Sequence, residues 1–265
     1  MLRCARDKAE EQAGAGMNYN WNWAIFFETS PDGVHTYLQT LVLGTGWTLA
    51  TAACAWVLAL LFGSIVGVMR TAPLPWLVRL GTAYVELFRN IPLLVQMFLW
   101  YFVLPELVPH EIGIWLKELP NSSFYTAVVA LGFYTSARVA EQVRAGILSL
   151  PRGQRLAALA LGLTLPQAYV YALLPMAYRI VLPPLTSEFL NVIKNSAVAL
   201  TIGLMELTAR ARAMQEFSFQ VFEAFTAATL IYIAINIVVT YAMQRVERKV
   251  AVPGFIGTAP QAVTH

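Results

Sequence analysis

The sequence predicts an all-α integral membrane protein of about five transmembrane helices, and three observations predict it. First, 58% of the 265 residues are hydrophobic and only 12% are charged, whereas soluble domains run at roughly 45–50% apolar and 25% charged. A single soluble core cannot bury that surplus. Second, the apolar residues fall in uncharged runs of about 20 residues, the length a helix needs to cross a hydrocarbon layer ~30 Å thick. Third, the basic residues behind the formal charge of +3 gather at the ends of those runs. No basic stripe with interleaved aromatics points to nucleic acid.

Residues 1–16, MLRCARDKAEEQAGAG, are charged or small and lack the apolar stretch of a secretory signal. They read as a disordered tail or a start-site extension ahead of Met17. Residues 17–36 form an interfacial segment whose Trp21, Trp23, Phe26 and Phe27 suit the membrane surface, where amphipathic rings concentrate. The membrane domain covers residues 37–250. No charged side chain lies between His35 and Arg70, and the run TLATAACAWVLALLFGSIVGVM within that stretch is the first span. After the Pro-rich turn TAPLPW, a second span begins beyond Arg89 and Asn90, kinked or started at Pro92, and ends near Pro105. The uncharged run from Leu119 to Ala137 is the third, and Ala224 to Gln244 the last. The stretch from Met176 to Met205 is too long for one straight crossing, too short for two, and carries Arg179, Glu188 and Lys194. A single broken helix fits, because ionisable groups and unwound backbone are tolerated at membrane depth where they line a cavity or meet protein.

Basic residues set the orientation. Arg70, Arg79 and Arg89, then Arg144, Arg152 and Arg155, then Arg245, Arg248 and Lys249 fall on one side. Lys117, Arg210 and Arg212 fall on the other, with Arg3, Arg6 and Lys8 of the tail. The positive-inside rule places the richer side, with residues 251–265 as a tail, in the cytoplasm and the N-terminus in the periplasm.

The cytoplasmic segment 150–175 is long for a connection between spans. Pro151 and Gly153 make a turn, QRLAALAL favours helix, Gly162 suits a left-handed cap, and a second helix starts with Pro166 in its first turn. Ala157, Ala158 and Gly162 are expected to expose a small face that another protein approaches closely. The run resembles the EAA loop of ATP-driven (ABC-type) importer permeases, the binding-protein-dependent transport inner-membrane components. In that loop two alanines are followed four residues later by glycine, then by nine residues and an aliphatic-x-Leu-Pro ending. Here Ala157 and Ala158 precede Gly162, and Ala172, Leu173, Leu174 and Pro175 close the run; the usual Glu is Leu156 and the usual aliphatic residue is Ala172. YVELFRNIPLLVQ, EQVRAGILSLPRGQ and KNSAVALTIGLMELT look like segments of the polar amino acid branch of the family. WNWAIFF, ARVAEQVRA, GLTLPQAY, LPPLTSEFLN and VERKV are most similar to membrane subunits of glutamate/aspartate importers; a permease for another polar amino acid such as glutamine is the alternative.

The resemblance implies a type-1 importer permease without covalent chemistry, metal or cofactor. Its partners would be a dimer of cytoplasmic ATP-binding subunits, a second homologous permease, a periplasmic amino-acid-binding protein and the lipid bilayer. The sequence has no GxxxxGK[ST] phosphate loop with which to hold ATP. Arg152, Gln154, Ala157, Ala158, Gly162 and Pro175 would couple to the ATPase. Lys194, flanked by Asn191 and Asn195, is the leading candidate on the substrate pathway, followed by Arg138. Glu141, three residues from Arg138, is expected to neutralise it, as Glu188 is for Arg179, and Glu86 is expected to pair with Arg89. Glu206, Arg210, Arg212 and Glu216 read as a solvated periplasmic face.

A carrier working alone on an ion gradient often contains two fused repeats, and none is visible. A membrane-embedded enzyme needs a nucleophile–base pair or a metal cluster within the spans. His35, His110 and His265 lie at or outside the ends of the apolar runs, and Cys4 and Cys54 are far apart.

Overall fold

A computed structural model describes residues 19–250; the expectations for residues 1–16 and 251–265 lie outside them. The chain enters through a short 3-10 turn, Trp23–Phe27, with Trp21, Trp23 and Phe27 exposed and Ile25 buried. A loop closed by a bridge between Thr29 and Thr36 follows. Asp32 organises it: one oxygen accepts from the Val34 and His35 amides at 3.0 and 2.9 Å, and the other lies 2.9 Å from His35 Nδ1. The two backbone N–H groups and the imidazole hold the Asp32 carboxyl down at about 2.

Helix α1 (Tyr37–Met69) opens with a capping box between Thr36 and Gln39. Its 33 residues reach about 50 Å, more than a hydrocarbon core requires. Thr48, Ala52, Ala55, Ala59, Gly63 and Gly67 form a buried stripe at three- and four-residue spacing. Against it lies α5 (Ser122–Ser149). A Cβ at Gly63 would stand 2.6 Å from Val139, and one at Gly67 2.8 Å from Val143. Small residues let the two backbones approach, the usual way helices associate where lipid removes the hydrophobic drive.

The second apolar segment divides differently from the expectation. Pro75–Asn90 is a helix of its own, α2, and the chain bends by 100° at Ile91 and Pro92 into α3 (Leu93–Leu107). The Gln96 side chain, almost fully buried, holds the corner by donating to the Phe88 carbonyl at 2.8 Å and the Ile91 carbonyl at 3.0 Å. At 1.5 Å per residue α3 reaches only about 22 Å. A widened π turn at Leu99–Val103 precedes Pro105, and another at Tyr169–Leu173 precedes Pro175. The wider turn accommodates a residue that lacks an N–H and clashes with the carbonyl four residues back.

After α4 (His110–Glu118) and α5 come α6 (Arg152–Ala160) and α7 (Leu165–Ile202). Helix α7 tightens into 3-10 turns over Ser196–Ile202 and stops at Gly203, whose φ is +84°. The broken helix anticipated here is therefore one continuous rod with a distorted end. Helices α8 (Leu207–Ser218) and α9 (Val221–Val250) complete the chain.

By length and composition α1, α7 and α9 can cross a membrane, and α2 with α3 makes a fourth if the bent pair is one span. Helix α5, where the sequence predicts the third span, is 28 residues long but is not apolar enough to be counted with them. Its position explains that. It packs on α1, α2, α3 and α7, so polar groups on its buried faces meet protein rather than lipid. Ser136, for example, lies 2.6 Å from the Tyr84 hydroxyl.

Candidate functional site

In the 150–175 segment the expected helix, left-handed glycine cap and second helix are present, but Gly153, expected in a turn, lies in the first turn of α6. Pro151 caps α6, and the helix ends in a Schellman turn: the Gly162 amide donates to the Leu159 carbonyl at 3.0 Å and the Leu163 amide to the Ala158 carbonyl at 3.2 Å. Gly162 has φ +84°, and an added Cβ would meet nothing within 4 Å. Strain from backbone conformation, not crowding, therefore selects glycine there. The Thr164 amide donates to Gln167 Oε1 at 2.8 Å to start α7, and the Tyr169 hydroxyl donates to the Thr71 carbonyl at 2.7 Å, tying the segment to the end of α1.

The face this turn presents differs from the expected one in one residue. Ala157 and Gly162 are exposed, as is Pro175 beyond the π turn, but Ala158 is only 5% exposed and points inward. Successive helical residues stand about 100° apart, so two adjacent alanines cannot share one face. Arg152 opens α6 and Gln154 follows, half-buried, in its first turn. Leu156, where the family pattern has Glu, is 61% exposed, and Leu161 is 83% exposed. The exposed surface is thus small-residued and apolar, with the basic Arg155 beside it, rather than acidic.

The pathway candidates divide into two places. Lys194, Asn191 and Asn195 stand on α7 just before its 3-10 end. Lys194 borders an open cavity of about 750 Å³ whose far wall is α9: Tyr232, Asn236, Thr240 and Gln244. Those four residues recur every fourth position and form a polar stripe down the largely apolar middle of α9. An apolar run of this length predicts only a span, and the four-residue spacing is the one sequence signal of the stripe. Among the described residues Lys194 has no salt-bridge partner.

Arg138 and Glu141 lie elsewhere and do not pair with each other. Arg138 Nη2 donates to the Tyr134 hydroxyl at 2.8 Å, its guanidinium lies 5.0 Å from the Tyr134 ring centre, and its Nη1 is 3.7 Å from Glu188 Oε2. Glu188 therefore serves Arg138 on the neighbouring helix instead of Arg179 on its own. Glu141 faces α1 and α2, where it meets Arg70 and Arg89, and it also meets Arg144 one turn on in α5. Arg89 takes this partner rather than Glu86. Spacing along one helix permits a pair, but packing of a second helix decides it.

Glu206 also departs from the solvated face predicted for it. It is fully buried at the start of α8. It accepts the Ala209 amide at 2.7 Å, the Thr208 amide and the Tyr232 hydroxyl at 3.0 Å, and the Thr48 hydroxyl at 3.3 Å. Burial nevertheless pushes its carboxyl up from the usual range. Arg212 and Glu216 do form the exposed pair their spacing suggests, at 2.8 Å.

The family model described as "binding-protein-dependent transport system inner membrane component" matches residues 59–252. The chain is 53% identical over 244 residues to the glutamate/aspartate import permease protein GltJ of Escherichia coli, covering 91% of this chain and 99% of the relative. It is 37% identical to a probable glutamine ABC transporter permease of Bacillus subtilis, covering 76% and 89%. Among solved structures, an amino acid ABC transporter with histidines matches with a TM-score of 0.68 and 30% identity over 80% of this chain and 95% of that one. The inward-facing MetNI methionine ABC transporter matches at 21% identity with a TM-score of 0.68 over 81% and 98%, a likeness of fold.

Proposed function

The chain belongs to the family of binding-protein-dependent transport system inner membrane components, and from that premise we propose that it imports glutamate and aspartate across the inner membrane as a permease subunit of an ATP-driven transporter. The observation that carries the substrate is the 53% identity to a glutamate/aspartate import permease, which spans 99% of that relative. Such a subunit performs no covalent chemistry; ATP is hydrolysed on a separate ATP-binding subunit, and a binding protein presents the amino acid. We further propose that the partners are a dimer of ATP-binding subunits and a second homologous permease.

The 150–175 segment seats one ATP-binding subunit through the small exposed residues Ala157 and Gly162 and the apolar rim of Leu156 and Leu161. Because it is tied to α1 through Tyr169 and continues without a break into α7, movement of the seat is carried along α7 to Lys194. The α9 stripe and Lys194 form one wall of the pathway, and the second permease closes it. Lys194 supplies a cation for an acidic side chain, and Asn236 and Gln244 supply amides. The cytoplasmic side is the α6 end.

The test is uptake by cells lacking their own acidic amino acid importers and expressing the whole transporter. Aspartate and glutamate should accumulate and compete with each other, and excess glutamine should leave both unaffected. Glutamine accumulation at an equal or greater rate would overturn the substrate assignment.

A further inference from the structure

The end of the molecule that carries α6 also holds a cluster of guanidinium groups that the transport account leaves unused. Glu141 of α5 stands among Arg70 at the C-terminal cap of α1, Arg89 in the last turn of α2, and Arg144 one turn on in α5. Its Oε1 is 2.7 Å from Arg70 Nη1 and 3.3 Å from Arg89 Nη1, and its Oε2 is 3.7 Å from Arg144 Nη1. A carboxylate offers about four lone-pair sites, and each guanidinium brings five N–H donors. One negative charge against three positive ones also leaves the cluster cationic. The Arg70 side chain is only 10% exposed. Its stem fills the space left by Gly81 on α2, where a Cβ would stand 2.7 Å from Arg70 Cγ. Its Nε is buried with no hydrogen-bond partner among the described residues, a state that costs free energy unless a ligand supplies an acceptor. Arg89 and Arg144 remain about half exposed beside it.

The surroundings indicate the ligand. Trp76, Leu80 and Leu87 are exposed along one face of α2, an apolar face on a helix that turns 100° from α3. A helix with that face suits the plane of the membrane interface. It brings apolar side chains and a cationic cluster together at one level, and guanidinium forks match phosphate oxygens. Basic pockets between transmembrane helices are places where anionic headgroups bind. We infer that Arg70, Arg89 and Arg144 bind the phosphate of an anionic phospholipid whose acyl chains lie along the exposed face of α2.

The complete transporter, exchanged into nanodiscs of phosphatidylcholine with phosphatidylglycerol, tests this by mass spectrometry of the lipids it retains. The wild type should retain phosphatidylglycerol preferentially, and raised salt should weaken that preference. Arg89→Gln with Arg144→Gln should lower it on the order of tenfold, Arg89→Lys should keep most of it, and Arg212→Gln at the other end should not change it. If the double variant does not assemble, Arg144→Gln alone should lower retention by a smaller factor. Equal retention of the two lipids by the wild type would overturn the inference, as would a preference insensitive to salt. Unaltered lipid retention with loss of the ATP-binding subunit in the double variant would reassign the cluster to a protein contact. Inorganic phosphate should not displace the lipid; phosphate binding without lipid enrichment would make a free anion the ligand and sink the lipid assignment.

Discussion

Lys194 sits one residue before the last α-helical residue of α7, exposed to a cavity whose facing wall is polar every fourth residue. A cation placed within an apolar span costs ~2.5–3.5 kcal/mol on insertion scales, so a lysine kept there has a partner or a task. Lys194→Gln should raise the KM for aspartate roughly ten- to hundredfold, the range for a lost charge-assisted hydrogen bond, while basal ATPase activity and assembly stay intact. Uptake kinetics check this, and an unaltered KM would remove Lys194 from the pathway. Lys194 is visible in the sequence as a cation within a largely apolar run. The ion pairs between helices were not legible, since Arg138 and Arg89 found partners on another helix and Glu141 found Arg70 and Arg89 on two others. Glu206 was misread for a related reason: a carboxylate near Arg210 and Arg212 looks solvated, and only packing shows that Thr48, Thr208 and Tyr232 enclose it. Its raised pKa makes a pH prediction. The protonated form is favoured in the folded state, so this contribution to stability is full below the unfolded carboxylate pKa and is lost as pH rises through the folded value. Glu206→Gln should flatten that part of the thermal stability profile in detergent. An unchanged profile would show that Glu206 is not the group responsible.

At the scale of elements, the α6 turn was the most legible piece of the molecule. Proline and glycine are local signals: Gly162 takes the left-handed cap and Pro166 the first turn of α7, while Gly153 falls inside α6 rather than in a turn. Gly162→Asp puts a Cβ at φ +84°, a strain of roughly 1 kcal/mol, and adds a charge to an apolar docking face. The protein should insert normally and lose most transport, with the ATP-binding subunit released or its hydrolysis uncoupled. Copurification measured alongside uptake distinguishes this from misfolding, and normal uptake would show that the turn is not the docking element. The α2–α3 corner was harder to read, because a proline marks a kink without giving its angle. The 100° bend depends on Gln96 satisfying two carbonyls freed at the break. The uncharged first half of α5 predicts a span. Its central position, which relaxes the need for apolarity, is a tertiary property that no window of sequence contains.

For the whole molecule, the number of crossings and the side on which α6 lies decide how the parts work together. With Cys4 and Cys54 replaced, single cysteines at Glu111 and Glu216 should react with a membrane-impermeant thiol reagent added from the periplasmic side, and one at Arg155 should not. The reverse pattern would detach the α6 turn from any cytoplasmic ATPase. The central claim, an ATP-driven importer subunit for acidic amino acids, is tested most directly by uptake of labelled aspartate into proteoliposomes. These would hold this chain with its second permease and ATP-binding subunits, with ATP enclosed on the α6 side and the binding protein on the other. Aspartate should accumulate only when both ATP and the binding protein are present, with no imposed ion gradient, and vanadate should stop it. Accumulation driven by a sodium or proton gradient without ATP would contradict the account.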